Sequence, residues 1–373
     1  MVDIHNEKKY PKFIQMKALL GFFTPWVIYF LITFLNYFLP GRKMSGYVTD
    51  SKTGQLLQYR LNGRLVLIVT VGLWALLGIL NWVPFDWLYE IRWYSLAGAF
   101  VFGLIFSLAI VLPYPSTGRP FLVDLFFGRL ENPQIQKGRI DIKIWLYLVG
   151  AVMLELNVLS FMAHHYNSFG TLSPNLLLCT AMITFFVVDY LTFEKVHLYT
   201  YDFFAERVGI KLGWGCLTFY PFLYAVVPWS SVDLPAANTP VWGLIIFGII
   251  FLSGWTLARG ANMQKYFFKI DPTRSFLGIK PQTISDGNKT LLVNGFWGVS
   301  RHINYLGEIL MGTGIALSVG YPDVYWVWIY PLYYVLLLFP RQYADDKRCL
   351  NKYGDLWKQY TQKVPYRIIP FIY

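Results

Sequence analysis

The chain has 373 residues, of which 55% are apolar and only 14% are charged. A typical soluble domain is about 45–50% apolar and about 25% charged, so this composition excludes an ordinary soluble enzyme, a disordered chain, a coiled coil and a nucleic-acid-binding module. The net charge is nevertheless +11, from 32 Lys and Arg against 21 Asp and Glu. In an apolar chain this excess indicates basic segments flanking membrane spans, and an anionic ligand.

Nine apolar stretches meet or approach the roughly 20 residues that a helix needs to cross a bilayer. In chain order they are residues 18–39, 65–83, 93–113, 144–162, 176–193, 214–229, 241–257, 306–319 and 324–340. We read the first as a retained span, because it is too long for the apolar region of a signal peptide. Residues 281–300 are a tenth candidate, apolar in part but rich in glycine. The sequence therefore predicts an all-α polytopic membrane protein with 9–10 transmembrane helices.

The basic residues lie mostly in alternate gaps between these stretches. The five segments that hold 27 of the 32 are 40–64, 114–143, 194–213, 258–305 and the tail 341–373. Cytoplasmic loops carry such an excess, so nine spans place the 258–305 loop and the tail in the cytoplasm. The four N-terminal lysines are the exception, and they fit a ten-span variant or a short interfacial N-terminus.

Three acids lie inside predicted spans, namely Glu155, Asp189 and Glu308. A carboxyl group in the membrane is costly and is by default a functional hypothesis. Glu155 is in mid-span beside Asn157, so we expect it to face a cavity or a partner helix. Asp189 and Glu308 lie near predicted span ends, where a hydrogen-bonded structural group is an equal alternative.

The cytoplasmic side concentrates polar residues in three places. Lys265 and Lys269 are four residues apart and share one face if the seventh span continues as a helix. They would bind lipid headgroups or, as the sharper alternative, a phosphate. Residues 295–308 place Gly, Trp, Arg, His, Asn and Tyr at the entry to a span, a mixture that favours a planar ligand over mere anchoring.

In the tail, a helix would put Arg341, Asp345, Arg348 and Lys352 on one continuous face, and Gly354 would end it. An ion-pair stripe without ligand is the plainer interpretation of that face. We expect no metal site. The three cysteines lie far apart, and His164-His165 is interpreted as a loop pair.

With these residues assembled, the sequence resembles the sterol reductase family of polytopic membrane enzymes. That family includes the sterol C-14, 7-dehydrocholesterol and C-24(28) reductases and the membrane domain of the lamin B receptor. The strongest matches are residues 295–308 and 341–370, and weaker ones occur at 57–63, 124–133 and 200–224. They follow the family order and cover about residues 55–373.

The resemblance implies an NADPH-dependent reduction of a sterol carbon–carbon double bond by one membrane domain spanning residues 1–373. The first half would be mainly scaffold, and residues 196–373 would form the sterol pocket and a cytoplasmic NADPH pocket. By position, Lys265 and Lys269 would hold the 2′-phosphate end of NADPH, and Trp297 would stack on it. The other positions assigned to the cofactor are Arg301, His302, Asn304, Tyr305, Arg341, Asp345, Arg348, Lys352, Tyr353 and Tyr360.

Reduction of an isolated alkene also needs a proton donor shielded from water, because such an alkene is a poor hydride acceptor until it is protonated. Our candidates are Tyr201, Asp202 and Glu206, with Glu308 in reserve. An equal alternative for Asp202 and Glu206 is an acid pair four residues apart on a solvated interfacial helix.

The motifs disagree about which double bond of the sterol is reduced. Glu206 followed by Arg207 resembles the C-24(28) side-chain reductase, and Gly215-Cys216 stands where ring reductases often have Gly-Asp, so both favour C-24 or C-24(28). Residues 302–305 resemble the ring enzymes, so reduction at C-14 or C-7 stays an alternative. Two others are an isoprenylcysteine methyltransferase-like enzyme using S-adenosylmethionine and a non-catalytic sterol-binding membrane protein. Expected partners are a sterol and membrane lipids but no nucleic acid, in the endoplasmic reticulum or a bacterial inner membrane, with the C-terminus in the cytoplasm.

Overall fold

The computed structural model describes residues 9–50 and 53–373, with side chains from residue 14 onward. Lys8 and the side chains of Lys9 and Lys12 therefore lie outside the described residues. The chain forms two compact units, divided between Pro235 and Ala236.

The first unit is helical with two small hairpins. Its longer helices are α1 (Lys9–Phe38), α2 (Gly63–Ile79), α4 (Arg92–Val111), α6 (Ile142–Phe169) and α7 (Pro174–Thr192). Its short helices are α3 (Trp87–Glu90), α5 (Phe121–Phe127), α8 (Glu194–His197), α9 (Tyr201–Phe204), α10 (Ile210–Trp214), α11 (Tyr220–Leu223) and α12 (Val226–Ser231). Its antiparallel strand pairs are β1 (Arg42–Thr49) with β2 (Leu56–Leu61), and β3 (Gln134–Ile135) with β4 (Ile140–Asp141).

Helix α6 is the centre of the first unit, because its side chains are buried along almost the whole length. Asp141 caps its N-terminus by accepting the amides of Lys143 at 3.0 Å and Ile144 at 3.1 Å, which satisfies two donors that a helix start leaves free. Gly170 closes the other end in the left-handed conformation. Within the helix, the Glu155 carboxylate accepts a hydrogen bond from the Thr184 hydroxyl of α7 at 2.8 Å. The prediction that Glu155 faces a partner helix is confirmed.

The sixth predicted span is a broken helix. A π-helical turn at Gly215–Phe219 separates α10 from α11, and Pro221 lies at the start of α11. Proline lacks the amide that would bond to the preceding turn, which disfavours one regular α-helix through this point. Ile210–Ser231 is still long and apolar enough to cross a membrane.

The second unit contains the long helix α13 (Val241–Ile270), the hairpin β5 (Thr283–Ser285) and β6 (Thr290–Leu292), and the single turn α14 (Phe296–Val299). It continues with α15 (Ile303–Ser318), a 3₁₀ turn at Tyr325–Trp328, α16 (Ile329–Tyr353) and α17 (Asp355–Lys363). The tenth candidate span at 281–300 is wrong, because a hairpin and one helical turn occupy it. Thr283, Ile284 and Ser285 pair there with Leu292, Leu291 and Thr290.

Over the described residues, six helices are long and apolar enough to cross a membrane. They are Ile14–Phe38, Arg92–Val111, Ile142–Phe169, Pro174–Thr192, Ile210–Ser231 and Val241–Ile270. The other three predicted spans coincide with α2, α15 and the first half of α16, which are shorter or end in polar residues. The expectation of an all-α polytopic membrane protein is confirmed.

Helices α13 and α15 pack through glycine. A Cβ atom added to Gly254 would lie 2.6 Å from the carbonyl oxygen of Gly307, and one added to Gly307 would lie 2.5 Å from the Ala258 amide. Small residues at such contacts let two membrane helices approach backbone to backbone. This contact fixes the end of α13, with Lys265 and Lys269, against the entry to α15.

Candidate functional site

The end of α13 holds the loop that precedes α14. Gln264 is buried, and its side-chain oxygen accepts the Phe296 amide at 3.0 Å while its nitrogen donates to the Asn294 carbonyl at 3.3 Å. Trp297 donates its indole N–H to the Ala261 carbonyl at 2.9 Å. The Lys265 ammonium lies 5.4 Å from the centre of the Trp297 ring, within the range of a cation–π contact. Two predicted cofactor residues therefore lie side by side.

A backbone clamp fixes the entry to α15. The Arg301 amide donates to the Tyr366 carbonyl at 3.0 Å, and the His302 amide donates to the Arg367 carbonyl at 2.7 Å. The Ser300 hydroxyl adds a bond to the Ile368 carbonyl at 3.0 Å. Residues 300–302 and 366–368 thus lie along each other, and the side chains of Arg301 and His302 are buried.

Asp346 of α16 is the shared acceptor for the cations around this clamp. Its Oδ2 lies 3.6 Å from Nη1 of Arg301 and 3.8 Å from Nε of Arg367, and its Oδ1 lies 3.9 Å from Nε2 of His302. Burial by itself raises the pKa of the Asp346 carboxyl. The interaction with the His302 side chain and the charges of Arg301 and Arg367 outweigh burial, so the pKa lies below its ordinary value.

Asp345, the acid that the sequence singled out, lies on the other side of the same imidazole. Its Oδ2 is 4.0 Å from Nδ1 of His302. The His302 ring also stacks on Tyr305, with centroids 4.9 Å apart and 16° between the planes. Arg301, His302, Tyr305 and Asp345 are therefore brought together, as the resemblance implied.

Four polar atoms of this cluster have no hydrogen-bond partner among the described residues, although two of them, Nε2 of His302 and Oδ1 of Asp346, face each other at 3.9 Å. Within residues 53–373, the buried Nε of Arg301, Nε2 of His302, Oδ1 of Asn304 and Oδ1 of Asp346 have no hydrogen-bond partner. A buried donor or acceptor left unsatisfied costs about 1–3 kcal/mol, so such atoms mark a place for a polar ligand or water. Unpaired donors and acceptors beside a cationic face fit the amide, hydroxyl and phosphate groups of NADPH.

The tail helices follow the prediction closely. Helix α16 continues to Tyr353, and Gly354 ends it with a positive φ of 57°. Arg341 and Asp345 are half-buried on it, whereas Arg348 and Lys352 are exposed. Tyr360 of α17 is buried with Val293, Trp357 and Val364, and its hydroxyl donates to the Trp297 carbonyl at 2.9 Å. Lys289 of the hairpin donates to the Lys352 carbonyl, which attaches the hairpin to the end of α16.

The proton-donor candidates Tyr201, Asp202 and Glu206 belong to the first unit. Helix α9 ends at Phe204, so Asp202 and Glu206 are not a pair on one helical face, and that alternative is wrong. The buried Glu206 carboxylate instead accepts a hydrogen bond from the Lys211 ammonium at 2.6 Å. Tyr201 and Asp202 are half-buried. The fourth candidate, Glu308, is half-buried on α15 in the second unit.

A buried lysine that the sequence analysis assigned no role supports the α9 segment. Lys143, at the start of α6, is 1% exposed. Its ammonium donates to the carbonyls of Asp202 at 3.0 Å and Phe203 at 3.1 Å, and to the side-chain oxygen of Asn132 at 3.2 Å. Only its membership in the basic gap 114–143 was visible in the sequence.

Both neighbouring histidines lie within α6, so their interpretation as a loop pair is wrong, and they have separate surroundings. His165 is buried and bonds to the Val232 carbonyl at 2.8 Å. His164 lies 3.8 Å from carboxylate oxygens of Asp86 and Glu90 and 3.1 Å from Asp233. Two of these carboxylates also have other partners in the protein. Lys17 donates to Glu90 at 2.8 Å, and Asn167 donates to Asp86 at 3.0 Å.

The sequence analysis missed three members of the cluster in the second unit. Asp346 was passed over for its neighbour Asp345, and Arg367 was noted only as part of a family motif. Tyr373, whose hydroxyl accepts a hydrogen bond from Arg367 at 3.3 Å, gave no signal at all. The one available clue was the doublet of acids at 345–346, because a helix turns neighbouring residues to different sides.

Fold and site together describe a polytopic helical membrane protein with a buried polar cluster suited to an anionic, hydrogen-bonding ligand. Over residues 2–373 the chain matches the ergosterol biosynthesis ERG4/ERG24 family, and it belongs to that family. The resemblance to the sterol reductase family is thereby confirmed.

Several relatives carry named activities. A Delta(14)-sterol reductase from Arabidopsis thaliana is 32% identical over 350 residues, covering 90% of this chain and 91% of the relative. One from Methylotuvimicrobium alcaliphilum is 33% identical over 351 residues, covering 91% and 80%. A 7-dehydrocholesterol reductase from Xenopus laevis is 29% identical over 385 residues, covering 94% and 78%. These names concern double bonds of the sterol rings and give the preference for a side-chain bond no support.

Proposed function

We propose that this chain reduces a ring double bond of a sterol, at C-14 or C-7, with NADPH as the hydride donor. The observation that carries the proposal is the full-length match to a family whose relatives are named Delta(14)-sterol and 7-dehydrocholesterol reductases. The cluster of Arg301, His302 and Asp346, with its unpaired buried atoms, supports a polar cofactor in the second unit.

In this proposal the second unit binds and orients the cofactor. A bound NADPH supplies the hydride, and the protein supplies position and charge. Lys265 and Lys269 share one face of α13 and provide cations for the 2′-phosphate. Nε of Arg301 is a donor and Oδ1 of Asn304 an acceptor, and neither has a hydrogen-bond partner among the described residues. Together they can hold a ligand group that both accepts and donates hydrogen bonds. Trp297, held at its indole N–H by Ala261, offers a ring of fixed orientation for stacking.

The protein must also deliver a proton to the alkene. The candidate donors are Tyr201, Asp202, Glu206 and Glu308, of which Glu206 accepts a hydrogen bond from Lys211 at 2.6 Å. Lys143 holds the carbonyls of residues 202 and 203 and thereby fixes the α9 segment. The net reaction adds one proton and one hydride across the double bond, and the hydride comes from the cofactor while the proton comes from one of these side chains.

The charge distribution supports an orientation for this site. The tail and the 258–305 loop carry basic residues that favour the cytoplasmic face. We therefore infer that the cofactor cluster is cytoplasmic, in the membrane of the endoplasmic reticulum or a bacterial inner membrane. Sterol and lipids would be its partners.

The test is reduction of a sterol panel with NADPH carrying deuterium at its reactive carbon. Purified protein in nanodiscs would receive Δ14, Δ7, Δ24 and Δ24(28) sterols, and mass spectrometry would locate the label. We expect one ring deuterium in the Δ14 or Δ7 product. Label only in the side-chain products would overturn the ring assignment. Label in no product would overturn the reductase and favour a methyltransferase or a non-catalytic sterol-binding protein.

A matched pair of variants tests the cofactor assignment in the same assay. Lys265→Gln removes a cation from the proposed phosphate position, and Lys363→Gln removes an exposed cation from the same unit. Only the first should raise the KM for NADPH. Equal effects of the two would count against a phosphate site on α13.

A further inference from the structure

The last residues of the chain form a closed loop around one oxygen atom. The main-chain oxygen of Tyr373 accepts hydrogen bonds from the amides of Arg367 at 2.8 Å, Ile368 at 3.0 Å and Ile369 at 3.1 Å. Three successive amides that converge in this way form a nest, a concavity of backbone N–H groups that binds an acceptor oxygen. The Tyr373 amide closes the loop by donating to the Ile369 carbonyl at 2.9 Å.

This loop contains an unfavourable residue conformation. Phe371 has a φ of 65°, in the left-handed region, and its side chain is 84% exposed. A non-glycine residue in that region costs about 1–2 kcal/mol, and burial of the Phe371 ring does not offset the cost. The loop persists because its other contacts over-determine it, and the structure concentrates these contacts on Tyr373.

The Tyr373 side chain is held at both its face and its hydroxyl. Its ring stacks on Phe339 with centroids 5.5 Å apart and 21° between the planes. The hydroxyl donates to the Tyr343 hydroxyl at 2.8 Å and accepts from Gln342 at 3.2 Å and Arg367 at 3.3 Å. Gln342 is fully buried, so one side of this hydrogen-bond network is fixed in the interior of the unit.

Arg367 connects the network to the cofactor cluster. Its guanidinium lies 4.9 Å from the centre of the Tyr343 ring, and its Nε lies 3.8 Å from the Asp346 oxygen that also faces Arg301. The Arg367 side chain is 35% exposed. Without the Tyr373 hydroxyl it has room to turn toward solvent, and Arg301 would then be the one guanidinium left at Oδ2 of Asp346.

We propose that Tyr373 is a positioning residue of the cofactor site, acting through Arg367 on the Asp346–Arg301 pair. This inference rests on the proposed function, because it takes that cluster as the place where NADPH binds. Tyr373 itself touches neither cofactor nor sterol in this scheme. Its role is to hold the orientation of the Arg367 guanidinium, which shares Oδ2 of Asp346 with Arg301 and thereby affects where the unbonded Nε of Arg301 points.

Tyr373→Phe tests the proposal, because it keeps the ring and the main-chain loop and removes only the hydroxyl. We expect the KM and the calorimetric Kd for NADPH to rise about 5- to 10-fold, as for the net loss of one typical hydrogen bond. The KM for the sterol should not change. Tyr325→Phe, which removes the hydroxyl of a 68% exposed tyrosine in the same unit, is the control.

A double variant separates positioning from mere stability. If Tyr373 acts through Arg367, Arg367→Lys and Tyr373→Phe should weaken NADPH binding by less in combination than the sum of their single effects. A purely structural Tyr373 would lower the melting temperature and leave the KM for NADPH unchanged. Should Tyr373→Phe fail to fold, Tyr343→Phe removes the acceptor on α16 and should give the same shift in KM.

The outcomes also separate this inference from the proposed function. If the wild type binds NADPH and Tyr373→Phe binds it equally well, the positioning role is overturned and the proposed function stands. Additive effects of the two substitutions would likewise overturn it. If the wild type neither binds NADPH nor reduces any sterol, both proposals fall together.

Discussion

Asp346 is the residue whose removal tests the candidate site most directly. Asp346→Asn keeps the shape of the side chain and removes the charge that Arg301 and Arg367 share at 3.6 Å and 3.8 Å. Arg301 is 8% exposed, so the substitution leaves a buried cation without its carboxylate. We expect weaker NADPH binding, because the orientation of Arg301 then depends on the Pro365 carbonyl at 3.3 Å alone.

The magnitude follows from these distances. At an effective dielectric constant of about 20, each pair is worth about 4–5 kcal/mol before desolvation is subtracted. Truncating one partner of a buried charge pair costs about 2–5 kcal/mol. Asp346 and Arg367 are 17% and 35% exposed, so we place the cost near the lower end, at about 2–3 kcal/mol. That corresponds to a rise of about 30- to 150-fold in the Kd for NADPH.

Calorimetric titration of NADPH into purified protein measures this change, with melting temperature recorded in parallel. Asp355→Asn, which removes an 86% exposed carboxylate of the same unit, is the control and should bind normally. Asp345→Asn tests the acid that the sequence favoured. Tighter NADPH binding by Asp346→Asn would refute the reasoning, because the cluster would then act as a simple anion trap in which a carboxylate only repels the cofactor.

Three further predictions concern charge and pH. Burial raises the pKa of Glu194 to about 7, so between about pH 4.5 and 7 the folded state binds more protons than the unfolded state and stability falls as pH rises. Glu194→Gln should therefore raise the free energy of unfolding at pH 8 by up to about 3 kcal/mol and leave it unchanged at pH 4, which thermal inactivation at the two pH values would show. A pH-independent difference would contradict this. Lys265→Gln should reduce the preference for NADPH over NADH by up to about fivefold in paired titrations, and an unchanged ratio would exclude a 2′-phosphate contact. Asp124 is fully buried, and hydrogen bonds from Thr117, with further ones from Arg129 and Ser116, hold its pKa far below the usual range; Asp124→Asn should expose the 114–129 loop to trypsin at pH 7, whereas wild-type resistance in the variant would show that the charge is dispensable.

The membrane helices were predictable because the requirement they satisfy is local. A helix in lipid must be apolar over its whole length, and within the described residues six of the nine predicted stretches contain a helix long and apolar enough to cross a membrane. The other three contain helices that are shorter or end in polar residues. The exception at 281–300 is instructive. A short apolar run does not distinguish a strand from a helix, and the pairing of Thr283 with Leu292 comes from residues across a turn.

The tail was also predictable, because helix periodicity and a terminating glycine are properties of neighbouring residues. Gly354 ends α16 with a positive φ, a conformation that glycine adopts readily because it has no Cβ atom. The same reasoning failed for Asp202 and Glu206, whose spacing suggested one helix. Lys143, about 60 residues away, instead binds the carbonyls of residues 202 and 203.

The sequence by itself determined the class of fold, the family and most residues of the candidate cofactor site, because composition, periodicity and short motifs are readable along the chain. Only the tertiary structure decided which carboxylate serves Arg301, and that Arg367 and Tyr373 belong to the same cluster. The reason is physical. An ion pair depends on distances of a few ångströms between residues far apart in sequence, and the packing of α13, α15 and α16 sets those distances.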